Sequence, residues 1–154
     1  MKSSNAIRVQ QSIRFLLGVL FIYASLSKWI DLQLFQEGLL NSPVFQQFSS
    51  SFVKALTWVV PGTEGILGVF LITKSQHLKL ILKASLVLLS SYTTYLIYIS
   101  WFADQQPCSC TGIIRGAGWA THFWVTLSFG VLNLIALSFF KGITTSAKKN
   151  ISAR

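Results

Sequence analysis

The sequence predicts an all-α membrane protein: a four-transmembrane-helix bundle with both termini in the cytoplasm and a short amphipathic helix on the outer surface. Hydrophobic residues make up 52% of the 154 residues and charged residues only 11%, which argues against a water-soluble globular domain. Four apolar stretches are each long enough to cross about 30 Å of hydrocarbon as a helix. Basic residues are concentrated on alternate connections between these stretches, which indicates how the bundle is oriented.

The four predicted spans lie near residues 13–30, 52–72, 78–101 and 120–140. Inside a bilayer, every backbone polar group of such a stretch must be hydrogen-bonded within the protein, which a helix achieves and an open strand does not. We therefore expect one four-helix transmembrane domain at residues 12–141. Residues 1–11 are predicted to be a polar, frayed cytoplasmic segment, and residues 142–154 a basic cytoplasmic tail.

The distribution of basic residues predicts the topology. Ten of the thirteen Lys and Arg residues precede the first span, flank the connection between the second and third spans, or follow the last span. Only Lys28, Lys54 and Arg115 lie at the other two connections. The positive-inside rule then places both termini in the cytoplasm of a bacterial inner membrane protein and the loop before the fourth span outside. The net charge of +9 thus reflects orientation in a lipid bilayer, and no nucleic-acid partner is expected.

The first span has an alternative interpretation as a signal peptide. Residues 15–26 would form its apolar region, with the small residues Ala24, Ser25 and Ser27 near a cleavage point. Cleavage would leave three spans and the same outward loop before the last one. The functional argument is therefore the same under both interpretations.

The connection at residues 31–51 contains the predicted amphipathic helix. Its apolar residues Leu32, Phe35, Leu39 and Leu40 recur at helical spacing, with polar residues between them. Such a pattern is typical of a helix that lies on a membrane surface. Pro43 disfavours helix in the residue before it, so the helix is expected to end near Asn41.

Two cysteines, Cys108 and Cys110, occupy the short polar loop between the third and fourth spans, and the chain has no others. A disulfide between residues this close closes a very small, strained ring, and strained, exposed disulfides tend to be the reactive ones. The outward side of a bacterial membrane is oxidising, so a disulfide can persist there. Redox exchange is one interpretation; metal ligation, a simple staple and a pair of unreactive thiols are the alternatives.

Two basic side chains are candidates to assist the thiols. A neutral imidazole of His122 or the positive charge of Arg115 would stabilise a thiolate, which is the reactive form of cysteine. An equally good interpretation makes His122 an interfacial residue in an aromatic belt, hydrogen-bonded to headgroups and water. A zinc site would need four ligands, and Cys108, Cys110 and His122 supply three, so no metal site is assigned.

Three polar residues are predicted within or at the edge of the hydrocarbon region. Glu64 is the most unusual, because an ionised carboxylate there is costly and indicates a partner or a pathway. We expect it to pair with Lys28, or to cap amides freed by a helix break at Val60 and Pro61. A structural role is favoured over direct proton transfer. Asn133 is interpreted as a hydrogen-bonding residue between helices.

An ordered set of residues runs from the first span to the start of the fourth: Ala24-Ser25-Leu26-Ser27-Lys28, Phe35, Ser42-Pro43, Val60-Pro61-x-x-Glu64, Pro107-Cys108-Ser109-Cys110-x-Gly112 and Trp119-x-x-His122. This pattern resembles the MauE family of methylamine utilisation membrane proteins, related to the wider DoxX-like group of four-helix, redox-associated proteins. The resemblance covers roughly residues 10–140. It implies that Cys108 and Cys110 match the family's close cysteine pair, Lys28 its first-helix lysine and Glu64 its second-helix acid.

The resemblance also implies a function. MauE proteins are implicated in maturing the disulfide-rich small subunit of methylamine dehydrogenase, which suggests disulfide formation in exported, thiol-containing client proteins. Membrane thiol oxidases such as DsbB and the vitamin K epoxide reductases relay electrons between two cysteine pairs, whereas this chain has one. Its acceptor would then be a quinone or a second redox protein. The rival functions are a non-enzymatic assembly or scaffold subunit, and metal handling by Cys108, Cys110 and His122.

Overall fold

A computed structural model of the chain describes residues 2–73, 77–102 and 119–152, and this described part consists of five α-helices without strands. The helices are α1 (Lys2–Ile30), α2 (Leu32–Leu40), α3 (Ser50–Ile72), α4 (Leu78–Phe102) and α5 (Trp119–Ser152). Four of them are long and apolar enough to cross a membrane, over Arg8–Ile30, Ser50–Ile72, Leu78–Trp101 and Ala120–Phe139. The predicted all-α fold and its four spans are thereby confirmed, whereas the cytoplasmic placement of the termini stays a prediction.

The two ends of the chain differ from the sequence prediction. α1 already begins at Lys2 and α5 continues to Ser152, so both predicted polar ends are helical where the structure describes them. Once a long apolar helix exists, each further residue adds one backbone hydrogen bond without a new nucleation cost, which favours continuation into the polar flanks.

Contacts between helices show that neighbours run antiparallel. Gly18 and Gly68 lie at the crossing of α1 and α3, while Ser25 of α1 reaches Pro61, which precedes Gly68 in α3. We call the end of the bundle at which α1 ends, α2 lies and α5 begins the α2 end. The opposite end, at which α1 begins and α5 ends, is called the terminal end.

The apolar core lies towards the terminal end. It is formed by side chains that are at most 9% exposed, contributed by α1, α3, α4 and α5: Leu17, Phe21, Leu67, Leu71, Ile81, Leu82, Leu89 and Ala136. At its centre α1 and α3 approach so closely that a Cβ on Gly68 would lie 2.9 Å from the backbone nitrogen of Ile22. Small residues permit this kind of close approach between membrane helices.

The predicted break of the second span is wrong. α3 passes through Pro61 without interruption, and the same side of the helix buries Thr57, Pro61 and Glu64. Proline removes one hydrogen-bond donor, but the remaining backbone bonds of the helix are retained, and packing against neighbouring helices makes such a proline tolerable in membrane spans. Here Ser25 of α1 donates a hydrogen bond of 2.7 Å to the carbonyl oxygen of Pro61.

The predicted amphipathic helix is confirmed as α2. It ends at Leu40 with Asn41 as its C-cap, in agreement with the predicted end near Asn41, and its apolar face is fixed by Phe35, which is 7% exposed. Residues 41–49 then turn back to α3, whose first turn is capped by the side chain of Ser49, which accepts from the amide of Phe52. α2 packs mainly against α3 and makes fewer contacts with α1.

Candidate functional site

A buried ion pair joins α1 to α3. The Nζ atom of Lys28 lies 2.9 Å from both carboxylate oxygens of Glu64. The Glu64 side chain is fully buried and the Lys28 side chain is 11% exposed. Of the two partners expected for Glu64, Lys28 is therefore correct, and the freed helix amides are wrong because α3 is continuous.

A third helix completes this cluster. Tyr92 of α4 donates a hydrogen bond of 2.6 Å to Oε1 of Glu64. Lys28 also lies over two aromatic rings, 5.7 Å from the centre of Phe35 and 5.8 Å from that of Tyr92, at cation–π distances. We call Lys28, Glu64 and Tyr92 the polar cluster. Its charges compensate each other inside the bundle, which is the condition under which buried charges are tolerated.

Small residues one turn away bring the polar cluster together. Ser25 lies three residues before Lys28 and Pro61 three residues before Glu64, so each pair shares a helix face. Besides the hydrogen bond between Ser25 and Pro61, a Cβ on Gly65 would lie 3.0 Å from the hydroxyl oxygen of Ser25. This close approach holds α1 and α3 at a distance that a lysine side chain can bridge.

A cavity of about 350 Å³ lies beside the polar cluster at the α2 end. It is partly open, and α2, the turn after it, α3, α4 and α5 all contribute to its wall. The lining residues are mostly apolar: Lys28, Phe35, Gly38, Leu39, Phe45, Phe52, Leu56, Val60, Ser91, Tyr92, Tyr95, Leu96, His122 and Thr126. The turn is fastened to α4 by the hydroxyl of Tyr95, which donates to the hydroxyl oxygen of Ser42 over 3.0 Å. The arrangement is an apolar chamber with a charged group in its wall.

His122 faces this cavity from the first turns of α5. It is 2% exposed, and Thr126, one turn further on, is 1% exposed. The interpretation of His122 as an interfacial residue hydrogen-bonded to headgroups and water is therefore wrong, because the ring is turned into the bundle. The sequence alone could not distinguish the two faces, since aromatic residues flank His122 on both sides.

The cysteine loop falls outside the described residues. Cys108, Cys110 and Arg115 all belong to the segment between Phe102 and Trp119, so their predicted roles stay predictions. α4 ends and α5 begins at the α2 end, however, and both helices line the cavity. Cys108 lies six positions after Phe102 in the sequence, and an extended chain of that length reaches at most about 20 Å. Among the described residues, no group of three or more His, Cys, Asp or Glu side chains could hold a metal ion.

Asn133 joins helices in the packed half of the bundle, as predicted. Its Nδ2 atom donates a hydrogen bond of 2.7 Å to the hydroxyl oxygen of Ser85, and both residues are fully buried. This bond links α5 to α4 and lies apart from the polar cluster. Asn133 therefore belongs to the framework of the bundle.

Sequence reasoning missed two tyrosines of the site. Tyr92 completes the polar cluster and Tyr95 fastens the turn over the cavity. Their three-residue spacing places both tyrosines on one face of α4. This pattern could have predicted them as site residues, because phenol groups within a membrane span need hydrogen-bond partners. The neighbouring hydroxyls of Ser91, Thr93 and Thr94 all donate to carbonyl oxygens of their own helix.

Comparison with known proteins gives one family. The model of the family described as methylamine utilisation protein MauE matches residues 6–140. Searches of the curated proteins and of the solved structures gave no significant match to the chain. The matched region contains all four spans, the polar cluster and the cysteine loop. The chain therefore belongs to the MauE family.

Proposed function

We propose that this membrane protein supports thiol–disulfide exchange in exported proteins, with Cys108 and Cys110 as the reacting pair. The observation that carries the proposal is the convergence of three features at the α2 end. The segment with the only two cysteines begins and ends there, beside a cavity and a buried, fully paired charge. An apolar chamber beside a buried ion pair adds nothing to the packing of a purely structural bundle.

The chemistry requires two electrons. A client dithiol is oxidised to a disulfide, and the Cys108–Cys110 disulfide is reduced to two thiols through a mixed disulfide between the proteins. Each bond that forms in the client is matched by one that breaks in this chain, and the two client protons pass to the new thiols. The protein acts in this scheme as a thiol–disulfide oxidoreductase or as an accessory to one.

The two basic candidates have different positions in this proposal. His122 lies three residues after Trp119, the first residue of α5, and lines the cavity, where its ring can act on a thiolate that approaches the α2 end. Arg115 belongs to the cysteine segment itself and would supply a permanent positive charge. Both would favour the thiolate, which is the attacking form.

The proposed client and location follow from the family. MauE proteins are associated with methylamine utilisation, so a disulfide-rich exported subunit of methylamine dehydrogenase is the first client to test. The charge asymmetry favours the bacterial inner membrane, with the cysteine segment on the extracytoplasmic side. An impermeant thiol reagent should label the reduced cysteines in intact cells, and labelling only after rupture of the inner membrane would contradict this topology.

The direct test of the function is capture of the client. In the variants Cys108→Ser and Cys110→Ser, the one remaining thiolate can attack a disulfide of the oxidised client. One client thiol is released, and the mixed disulfide persists because the neighbouring cysteine that would resolve it is missing. We expect one variant to accumulate a covalent complex that a reductant dissolves, and both to lose client oxidation while the bundle stays folded. Full client oxidation in both single variants would instead favour a scaffold function without redox chemistry.

A further inference from the structure

We propose that the cavity beside the polar cluster binds the head of a membrane quinone, and that this quinone reoxidises the cysteine pair. The inference rests on the thiol function proposed above. The chain has only two cysteines, so electrons taken from a client must leave through an acceptor other than a second cysteine pair of its own. An acceptor dissolved in the bilayer could reach a chamber between membrane helices directly.

The walls of the cavity fit a flat, conjugated ring with an apolar tail. A volume of about 350 Å³ is within the range of small-molecule sites. Aromatic side chains, which stack on planar rings, come from α2, the turn after it, α3 and α4: Phe35, Phe45, Phe52, Tyr92 and Tyr95. Leu39, Leu56, Val60 and Leu96 supply the aliphatic remainder, against which an isoprenoid chain would pack.

The polar end of the cavity fits a quinone carbonyl. An ammonium group has three N–H donors, and two of those on Lys28 are used by Glu64 at 2.9 Å. The third points to the carbonyl oxygen of Ala24 over 3.4 Å, which is beyond the usual range of an N–H···O bond. Lys28 can therefore offer this donor to a ligand in the cavity without giving up the ion pair.

The same charge would favour reduction. Negative charge develops on a quinone oxygen as it accepts electrons, and a fixed ammonium group beside that oxygen stabilises it. Glu64 and Tyr92 position the ammonium in this account and do not react. The reaction balances: two thiols become one disulfide, and their two electrons and two protons convert the quinone to the quinol.

A lipid acyl chain is the competing occupant of such a chamber. An acyl chain would pack against the apolar walls, but it offers no hydrogen-bond acceptor for the ammonium of Lys28. That ammonium belongs to the cavity wall, although the ion pair with Glu64 alone would not require it to be accessible from the cavity. A quinone uses both the walls and the charge. The two occupants therefore differ in their dependence on Lys28.

Binding of decylubiquinone to the purified full-length protein in detergent tests the inference. We expect saturable binding by the wild-type protein and equal binding by the double variant Cys108→Ser/Cys110→Ser. Leu56→Trp, which fills the cavity, and Lys28→Met/Glu64→Gln, which removes the charges together, should each weaken binding by roughly tenfold or more. Val59→Trp is the matched control on α3, because Val59 is 59% exposed and does not line the cavity.

Several results would overturn the inference. Wild-type affinity in Leu56→Trp would place the ligand elsewhere, and displacement by decanol as effective as by the quinone would show an adventitious lipid site. If the wild-type protein does not bind quinone while client capture by one of the single-cysteine variants persists, the quinone inference fails and the thiol function stands. If quinone binds as expected but neither cysteine variant captures a client, the cavity is a quinone site, but the proposal that this quinone oxidises the cysteines fails.

Discussion

The two halves of the bundle differ in how tightly their helices pack. Towards the terminal end, Leu71 and Leu82 are fully buried and the backbones of α1 and α3 touch at Gly18 and Gly68. Towards the α2 end, α1 stops and the extended part of α3 is covered by a short helix and a turn, which leaves a cavity. The comparison indicates that the tightly packed apolar half stabilises the bundle. The other half can therefore contain a buried ion pair and an unfilled cavity.

The halves also differ in the forces that hold them. Lipid tails are as apolar as leucine side chains, so helices in a bilayer associate through close packing and hydrogen bonds more than through the hydrophobic effect. The packed half uses the close crossing at Gly68 and one hydrogen bond, from Asn133 to Ser85. The α2 half uses the polar cluster, whose contribution depends on every member having its partner.

Removing one charge of the polar cluster should have the largest effect on stability. Lys28→Met leaves the Glu64 carboxylate buried without its counter-ion, and breaking a buried pair in this way typically costs about 3–5 kcal/mol. Lys28→Met/Glu64→Gln should recover most of that loss, because no charge is then left alone. The loss in Lys28→Met and its recovery in the double variant are both measured by denaturant unfolding in detergent, compared in a double-mutant cycle. Equal stability of Lys28→Met and the wild type would contradict a structural role for the ion pair.

Truncation of one leucine in each half tests the difference in packing. Leu71→Ala, in the filled core, should cost about 2 kcal/mol, at the low end for such cavities because lipid is an apolar reference state. Leu56→Ala, at the wall of an existing cavity, should cost less than about 1 kcal/mol, because it enlarges a space that is already open. The same unfolding assay serves both variants, and equal losses would show that the halves are packed alike.

The crossing of α1 and α3 should tolerate no side chain at Gly68. A methyl group there would meet Gly18 and Ile22 backbone atoms at 2.9–3.0 Å, so Gly68→Ala should force the helices apart at a cost of about 1–2 kcal/mol. Gly130 on α5 is the control, because nothing lies within 4 Å of a Cβ at that position. Gly130→Ala should stabilise the protein by up to about 1 kcal/mol through helix propensity, and a loss in both variants would point to a general effect of the substitution.

Within the polar cluster, the smallest effect is expected from its third member, Tyr92. Tyr92→Phe removes one hydrogen bond to a carboxylate that keeps Lys28, which should cost about 1 kcal/mol, as is typical between membrane helices. Tyr23→Phe, at a 51% exposed position on α1, is the matched variant for the phenol itself. A loss as large for Tyr92→Phe as for Lys28→Met would mean that the phenol, and not the ammonium, holds the carboxylate.

Predictions made from local patterns were confirmed. The four spans and the short helix α2 follow from the length and period of apolar residues, which a single segment carries in itself. The partner of Glu64 was identified correctly as Lys28, because this was the one basic residue predicted near the outer end of the first span. The error at Pro61 arose because proline acts locally, whereas the continuity of α3 depends on the helices packed around it.

The sequence by itself determined that this chain spans a membrane four times, that its charges are unevenly distributed between the connections, and that its two cysteines lie in one connection. Only the tertiary structure decided that Lys28, Glu64 and Tyr92 form one cluster, that His122 faces inward, and that a cavity remains beside them. The physical reason is distance along the chain. The members of the cluster lie on three helices, 36 and 28 residues apart, and the close crossing at small residues sets which of their faces meet.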